Sequence, residues 1–372
     1  MPPTVISESV ERDNLRRLMI GLVGVLICIG VQMVQSASLT SRPSEQDAVF
    51  LSKHLTYLAV SLLCGFIASR LSTAWLQRNA TTLFSGLVFL LVILLVPGIG
   101  SRINGAQRWL RFGGLSLQPS ELGRIILPLM AATILCNRRP AGFSLSTVPA
   151  TLMPLLVLPL VAIEPDLGAT VFLGSGFILA LFLGGWPLRY FVGCAMLFVP
   201  AAASLLILKP YQMERIRGFM AAWQDLSQAP WQVRQSLLSI GSGGLKGTGI
   251  GGGWQKLSYL PEANTDFVFA VIGEELGLLG TMTVCFVWVA LFLTGRAALK
   301  HLPRTSFEWI FGTTLLLQLV LQAMANIAVV TGLVPPKGVP HPFISYGGTN
   351  LLVSVTAIGL IIGMSRSCDR PE

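Results

Sequence analysis

The sequence predicts an all-α polytopic membrane protein of about ten transmembrane helices. Of its 372 residues, 53% are hydrophobic and 12% charged, and the mean hydropathy is +0.70. Charge that sparse cannot cover a water-facing surface, since soluble domains carry about 25% charged residues. Nine long stretches are free of Asp, Glu, Lys and Arg, and most approach the ~20 residues that a helix needs to cross a hydrocarbon core. The segments between them are mostly short and hold the charges.

The first apolar stretch, 18–41, follows Arg12, Arg16 and Arg17. It has the flanks of a signal peptide, but its length and the spans after it mark an uncleaved first helix. Stretches 54–69 and 79–101 come next. A tenth candidate, Leu115 to Cys136, has spanning length although Glu121 and Arg124 interrupt it. Stretches 140–163 and 167–188 flank the turn sequence E-P-D-L-G, and 190–208 is the seventh span. A long segment, 209–265, separates it from the last three spans, 276–295, 309–336 and 338–365. The expected organisation is a tail of residues 1–17, a membrane domain over 18–365 with a long outer loop between helices 7 and 8, and a tail of 366–372.

Ten spans put both termini on one side of the membrane. With that side cytoplasmic, the inner segments carry thirteen Lys and Arg, and the short outer loops carry Arg42, Lys53, Arg102, Arg108, Arg111 and Lys337. This satisfies the positive-inside rule, with 209–265 set aside as a long loop that translocates regardless of charge. That segment adds six more outer cations, Lys246 among them. Two readings of the outer cations stand: a surface for an anionic ligand such as a phosphate-bearing lipid head group, or solvated loop charge. The net charge of +9 is therefore a matter of membrane sidedness and gives no reason to expect a nucleic-acid partner. The six cysteines lack C-x-x-C spacing and read as small hydrophobes.

Polar residues near the spans are the candidates for chemistry. Glu164 and Asp166 sit in the E-P-D-L-G hairpin, where cation binding, loop bracing and helix capping by Asp166 are all open. Glu121 and Arg124, three residues apart, share a helix face and can pair, and an ionisable residue inside a span needs a partner or a wet cavity. The run G-S-G-G-L-K-G-T-G-I-G-G-G fails as a phosphate loop because Gly247, not Ser or Thr, follows Lys246. Its glycines either let the backbone approach a head group or form a flexible connection. Asp266 lies where polar chain turns apolar, a place that suits a general base or a helix N-cap. Glu274 and Glu275 follow, one of them reaching a polar interior. The last outer loop, T-G-L-V-P-P-K-G-V-P-H-P-F-I-S-Y-G-G-T-N, reads as rigid and re-entrant-like, which requires that it line a cavity or be buried in protein. Lys337 is then a candidate pyrophosphate contact and His341 a weaker one.

Five ordered motifs bring these residues together: N-G-A-Q-R-W-L at 104–110 with L-Q-P-S-E-L at 117–122, E-P-D-L-G at 164–168, G-x-G-x-G at 247–251, N-T-D-F-V-F-A-V-I-G-E-E-L-G at 264–277, and P-F-I-S-Y-G-G at 342–348. Over nearly the whole chain they resemble the SEDS family, which comprises FtsW, RodA and SpoVE. The resemblance implies a ten-helix membrane enzyme that polymerises lipid II into peptidoglycan glycan strands. It implies Asp266 as the general base, with Arg108, Arg111, Lys246 and Lys337 as pyrophosphate partners, or a divalent cation (Mg or Mn) in that role. Glu121 and Arg124 match an acid and base pair of the family, with arginine in place of the usual lysine, and Ser345 belongs to the substrate-binding set. Glu164, Asp166 and Glu275 are implied as loop and structural residues. Further departures are Glu164, often Gln in relatives, His341 where an apolar residue is common, and Thr349-Asn350 where paired serines are usual. The P-K-G at 336–338 is nearer the division branch than the elongation branch. Such proteins work with a class B penicillin-binding protein and other divisome proteins, and the expected location is the cytoplasmic membrane at the septum. No S-x-x-K transpeptidase signature stands in a soluble domain of this chain, so crosslinking falls to that partner. A lipid II transporter and a recruiting scaffold are the competing classes. The outer clustering of polar residues favours chemistry at one face over a path through the bilayer.

Overall fold

A computed structural model describes residues 3–38, 45–96, 98–103, 106–112, 115–138, 144–164, 167–196, 217–221, 225–254 and 260–366. Its helices are α1 (Pro3–Ser38), α2 (Glu45–Ala68), α3 (Thr73–Leu94), α4 (Pro119–Arg138), α5 (Val148–Leu152), α6 (Val157–Ile163), α7 (Leu167–Leu183), α8 (Trp231–Gly243), α9 (Val268–Leu299), α10 (Phe307–Val330) and α11 (Gly348–Ser365). Eight helical segments are long and apolar enough to cross a membrane, and the shorter Gly168–Leu183 is a ninth apolar helix among the described residues. α5 and α6 form one such segment through a 3-10 turn at Met153–Leu156. Pro149, Pro154 and Pro159 each remove a backbone donor along it, which breaks a continuous α-helix into pieces. The expected span 190–208 lies mostly outside the described residues.

Between α3 and α4 the chain forms a three-stranded antiparallel sheet, β1 (Ser101–Ile103), β2 (Ala106–Phe112) and β3 (Leu115–Leu117). The all-α class stands with this one small sheet added, and the fourth span starts at Pro119 rather than Leu115. Asn104-Gly105 and Gly113-Gly114 separate the strands, two-residue sequences that favour tight hairpins. The last span also starts later than expected, at Gly348, because the Pro-rich stretch before it stays non-helical.

α11 is buried along nearly its whole length, with α4 and α10 beside it. Small residues permit the tightest approach: a Cβ on Gly359 would overlap the Gly65 carbonyl, so α2 and α11 pack backbone to backbone. At one end of the bundle Arg16 of α1 donates from Nε to Ser365 Oγ (3.0 Å) and from Nη2 to the Ser365 carbonyl (2.6 Å), tying the first helix to the end of the last. At the other end, the Tyr57 hydroxyl of α2 donates to the Ser116 carbonyl (3.0 Å), and Gln118 N donates to Thr349 Oγ1 (3.0 Å). The sheet is thereby fixed over the N-terminus of α11.

Candidate active site

The end of the bundle that carries the sheet also carries Asp266. It lies in a run of turns over 260–267 that leads into α9, and it is half-buried. The loop 331–347, between α10 and α11, packs against that run. Tyr346 N donates to the Asn264 carbonyl (2.8 Å), and the Ser345 hydroxyl donates to the Thr265 carbonyl while accepting from His341 N (2.7 Å). The His341 ring stacks on Phe269 of α9 at 6.3 Å between centroids and sits 5.7 Å from Trp288. Phe343, fully buried, adopts φ = +67°, an arrangement that persists only where its surroundings fix it. α1 closes the other side, since a Cβ on Gly30 would lie 2.5 Å from the Phe343 carbonyl.

The loop reaches the carboxyl group itself at Gly338. A Cβ there would lie 2.7 Å from Asp266 Oδ2, so any larger residue would push the carboxyl end aside. Lys337, the next residue back, is exposed. The result is a carboxyl at the rim of a rigid loop, with a solvent-facing ammonium one residue from its nearest wall.

Behind the rim, α10 presents amides at four-residue spacing, Gln318, Gln322 and Asn326, all buried. Asn326 Nδ2 donates to the carbonyls of Asp266 (2.7 Å) and Val339 (2.7 Å). Gln322 Nε2 donates to the Pro340 carbonyl (2.8 Å) and to Asn350 Oδ1 (3.0 Å). Its Oε1 accepts from Arg124 Nη2. Arg124 also bonds Glu121 (2.5 Å) and Asn350 Oδ1 (2.9 Å) and lies 5.9 Å from the centre of the Phe172 ring. The acid and base pair is thus present, and it serves as a junction of α4, α10 and α11 at a site where the guanidinium is almost wholly buried. Counting charges alone missed the α10 amides. Their signal in the sequence was three amides on one face of an otherwise apolar helix.

The remaining candidates lie elsewhere. Arg108 of β2 donates from Nε to the Glu164 carbonyl (3.1 Å) at the end of α6, and Arg111 is exposed on the same strand. Glu164 is buried, and Asp166 falls outside the described residues. Lys246 is exposed on the turn after α8, level with Gly277, roughly 15 Å along α9 from Asp266 at 1.5 Å per residue. Ser345 is buried with its hydroxyl held between two backbone groups, so it braces the loop rather than facing a ligand.

The glycine-rich stretch is not a slack connection: it wraps α9 where Gly277 (φ = +66°) kinks that helix. Gly249 N donates to the Glu275 carbonyl (3.0 Å) and Gly251 N to Glu275 Oε2 (3.1 Å). Ser36 of α1 donates to the Glu275 carboxyl (2.7 Å), and Trp254 N donates to Glu274 Oε1 (2.6 Å). Loop amides thus reach one oxygen of each buried carboxyl, and Ser36 holds the Glu275 carboxyl from the other side. Among the described residues no group of three or more His, Cys, Asp and Glu side chains is placed to hold a metal ion.

A bundle of membrane-spanning helices with a half-exposed carboxyl and a lysine at one rim defines a class: an integral membrane protein with its polar site at the membrane surface. The chain belongs to the FtsW/RodA/SpoVE family of cell cycle proteins, whose model matches residues 16–369. A relative from Geobacter metallireducens, named probable peptidoglycan glycosyltransferase FtsW, is 35% identical over 363 residues, 96% of each chain. One of the same name from Aromatoleum aromaticum is 38% identical over 378 residues, covering 96% of this chain and 92% of the relative. Among solved structures, a peptidoglycan synthase complex that coordinates polymerization and crosslinking superposes with a TM-score of 0.76 at 27% identity, covering 95% and 98% of the two chains. The rod shape determining protein RodA of Thermus thermophilus gives 0.68 at 26% identity, over 95% and 97%.

Proposed function

We propose that this protein is a peptidoglycan glycosyltransferase that polymerises lipid II on the outer face of the cytoplasmic membrane during septal wall synthesis. The observation that carries the proposal is the Asp266 carboxyl held at the rim by Gly338, in a chain whose relatives bear the name peptidoglycan glycosyltransferase FtsW. Asp266 accepts the proton of a sugar hydroxyl on one lipid-linked disaccharide while that oxygen bonds to the anomeric carbon of the other chain. The bond from that carbon to the pyrophosphate oxygen breaks, and undecaprenyl pyrophosphate leaves with inversion. Lys337 offers its charge to the departing pyrophosphate, and Arg108, Arg111 and Lys246 supply further positive charge on the same face.

Orientation follows from the charge bias, which puts the rim outside and both termini in the cytoplasm. The Arg16 to Ser365 contact requires an even number of crossings between those residues, a condition the ten-span reading meets. The similar peptidoglycan synthase complex supports a class B penicillin-binding protein as the crosslinking partner.

Glycan-strand formation from purified lipid II by this chain, co-purified with that partner, tests the proposal. Strands that vanish when lipid II is omitted are the expected result. Movement of lipid II across vesicles without strand formation would replace the enzyme reading with a transporter.

A further inference from the structure

We propose that Asn326 is a positioning residue for the reaction, its side-chain amide clamping the Asp266 turn to the loop segment around Gly338. The inference rests on the reading of Asp266 as the base and deepens it. Asn326 is fully buried on α10, and its Nδ2 spends both protons on backbone carbonyls, those of Asp266 and Val339, each at 2.7 Å. Carbonyls cannot donate, so the amide has one orientation that satisfies both, and a side chain without the NH2 group loses both bonds. The two carbonyls belong to the segments that meet at the carboxyl: Asp266 itself, and the residue next to Gly338, whose missing side chain leaves Oδ2 its place. One turn earlier Gln322 holds the Pro340 carbonyl at 2.8 Å, so adjacent turns of α10 fix consecutive carbonyls of the loop.

This geometry assigns the clamp an effect on turnover rather than on substrate capture. Asn326 is buried behind the rim and touches the backbone of Asp266, while the exposed surface that meets a lipid-linked substrate carries Lys337. Releasing the clamp lets the gap between Oδ2 and Gly338 widen, and a displacement of about 1 Å at a reacting group costs up to ~100-fold in rate.

Two variants test the proposal in the full chain with its penicillin-binding partner, alongside Asp266→Asn. Asn326→Leu removes both donors and keeps an apolar side chain in a buried helix position. Gly338→Ala leaves Asn326 intact and pushes a methyl group to 2.7 Å from Oδ2. The latter is exposed, and its only clash is with a side-chain end, so it folds even if Asn326→Leu does not. The expected result in each is a fall in kcat of about tenfold or more with KM for lipid II within about twofold. Wild-type kcat in either folded variant, or a loss carried by KM, overturns the clamp while a dead Asp266→Asn leaves the base reading standing. Wild-type turnover in Asp266→Asn removes the base reading and the clamp with it.

Discussion

Gly247 lies against the backbone of Glu275 so closely that a Cβ on Gly247 would overlap the Glu275 carbonyl, and Gly277 meets the Gly247 amide in the same way. Two glycines from different segments, at φ = +79° and +66°, therefore interlock at the kink of α9.

The glycines of this stretch should differ sharply in tolerance. Gly247→Ala and Gly277→Ala combine left-handed backbone strain, about 1–2 kcal/mol, with a backbone overlap that cannot relax. Gly249→Ala meets open space and carries the strain alone. Thermal unfolding of the purified proteins should show loss of the folded state in the first two and a shift of a few degrees in the third. Equal tolerance at all three would refute the interlock.

Arg124→Lys should destabilise the bundle despite keeping the charge. The guanidinium fork reaches Glu121, Asn350 and Gln322 from two nitrogens, and a single ammonium cannot span them. Arg124→Ala should cost more, about 3–5 kcal/mol, because it strands Glu121 and the Gln322 carbonyl oxygen. Denaturation midpoints would show the order wild type, Lys, Ala. A lysine variant as stable as wild type would count against the junction.

His341 gives the fold a dependence on pH. Burial pushes its imidazole down from 6.5 to about 4, against a smaller upward effect of the Pro342 carbonyl. The folded state keeps the ring neutral, and the unfolded chain takes up a proton as pH falls below 6.5. Stability from this residue is therefore complete above about pH 6.5 and is lost as pH drops toward 4, by about 3 kcal/mol in all. His341→Phe should flatten that part of the stability profile. A profile unchanged between the two proteins would contradict it.

The spans were legible because membrane helices announce themselves by missing charge, and 309–336 and 276–295 were found on that ground alone. The sheet is harder to read, because Arg102, Arg108 and Arg111 look like loop cations and its only signals are the hairpin sequences Asn104-Gly105 and Gly113-Gly114. Asp266 is singled out by the N-T-D-F motif of the resemblance, since its place at a polar-to-apolar boundary gives it no advantage over Glu262 or Glu164. Its wall at Gly338 and its clamp at Asn326 are not singled out, since they lie 72 and 60 positions along the chain and meet it through tertiary packing. The glycine-rich stretch leaves close backbone approach and a flexible connection equally open in the sequence. What it approaches, the kink at Gly277, is visible only in three dimensions.

The measurement closest to the central claim compares glycan-strand formation from lipid II by the wild-type protein and by Asp266→Asn, each co-purified with its penicillin-binding partner. Asparagine keeps the size and the backbone bond to Asn326 but cannot accept a proton at neutral pH. The account predicts strands from the wild type and none from the folded variant. Strands at the wild-type rate from Asp266→Asn would contradict it.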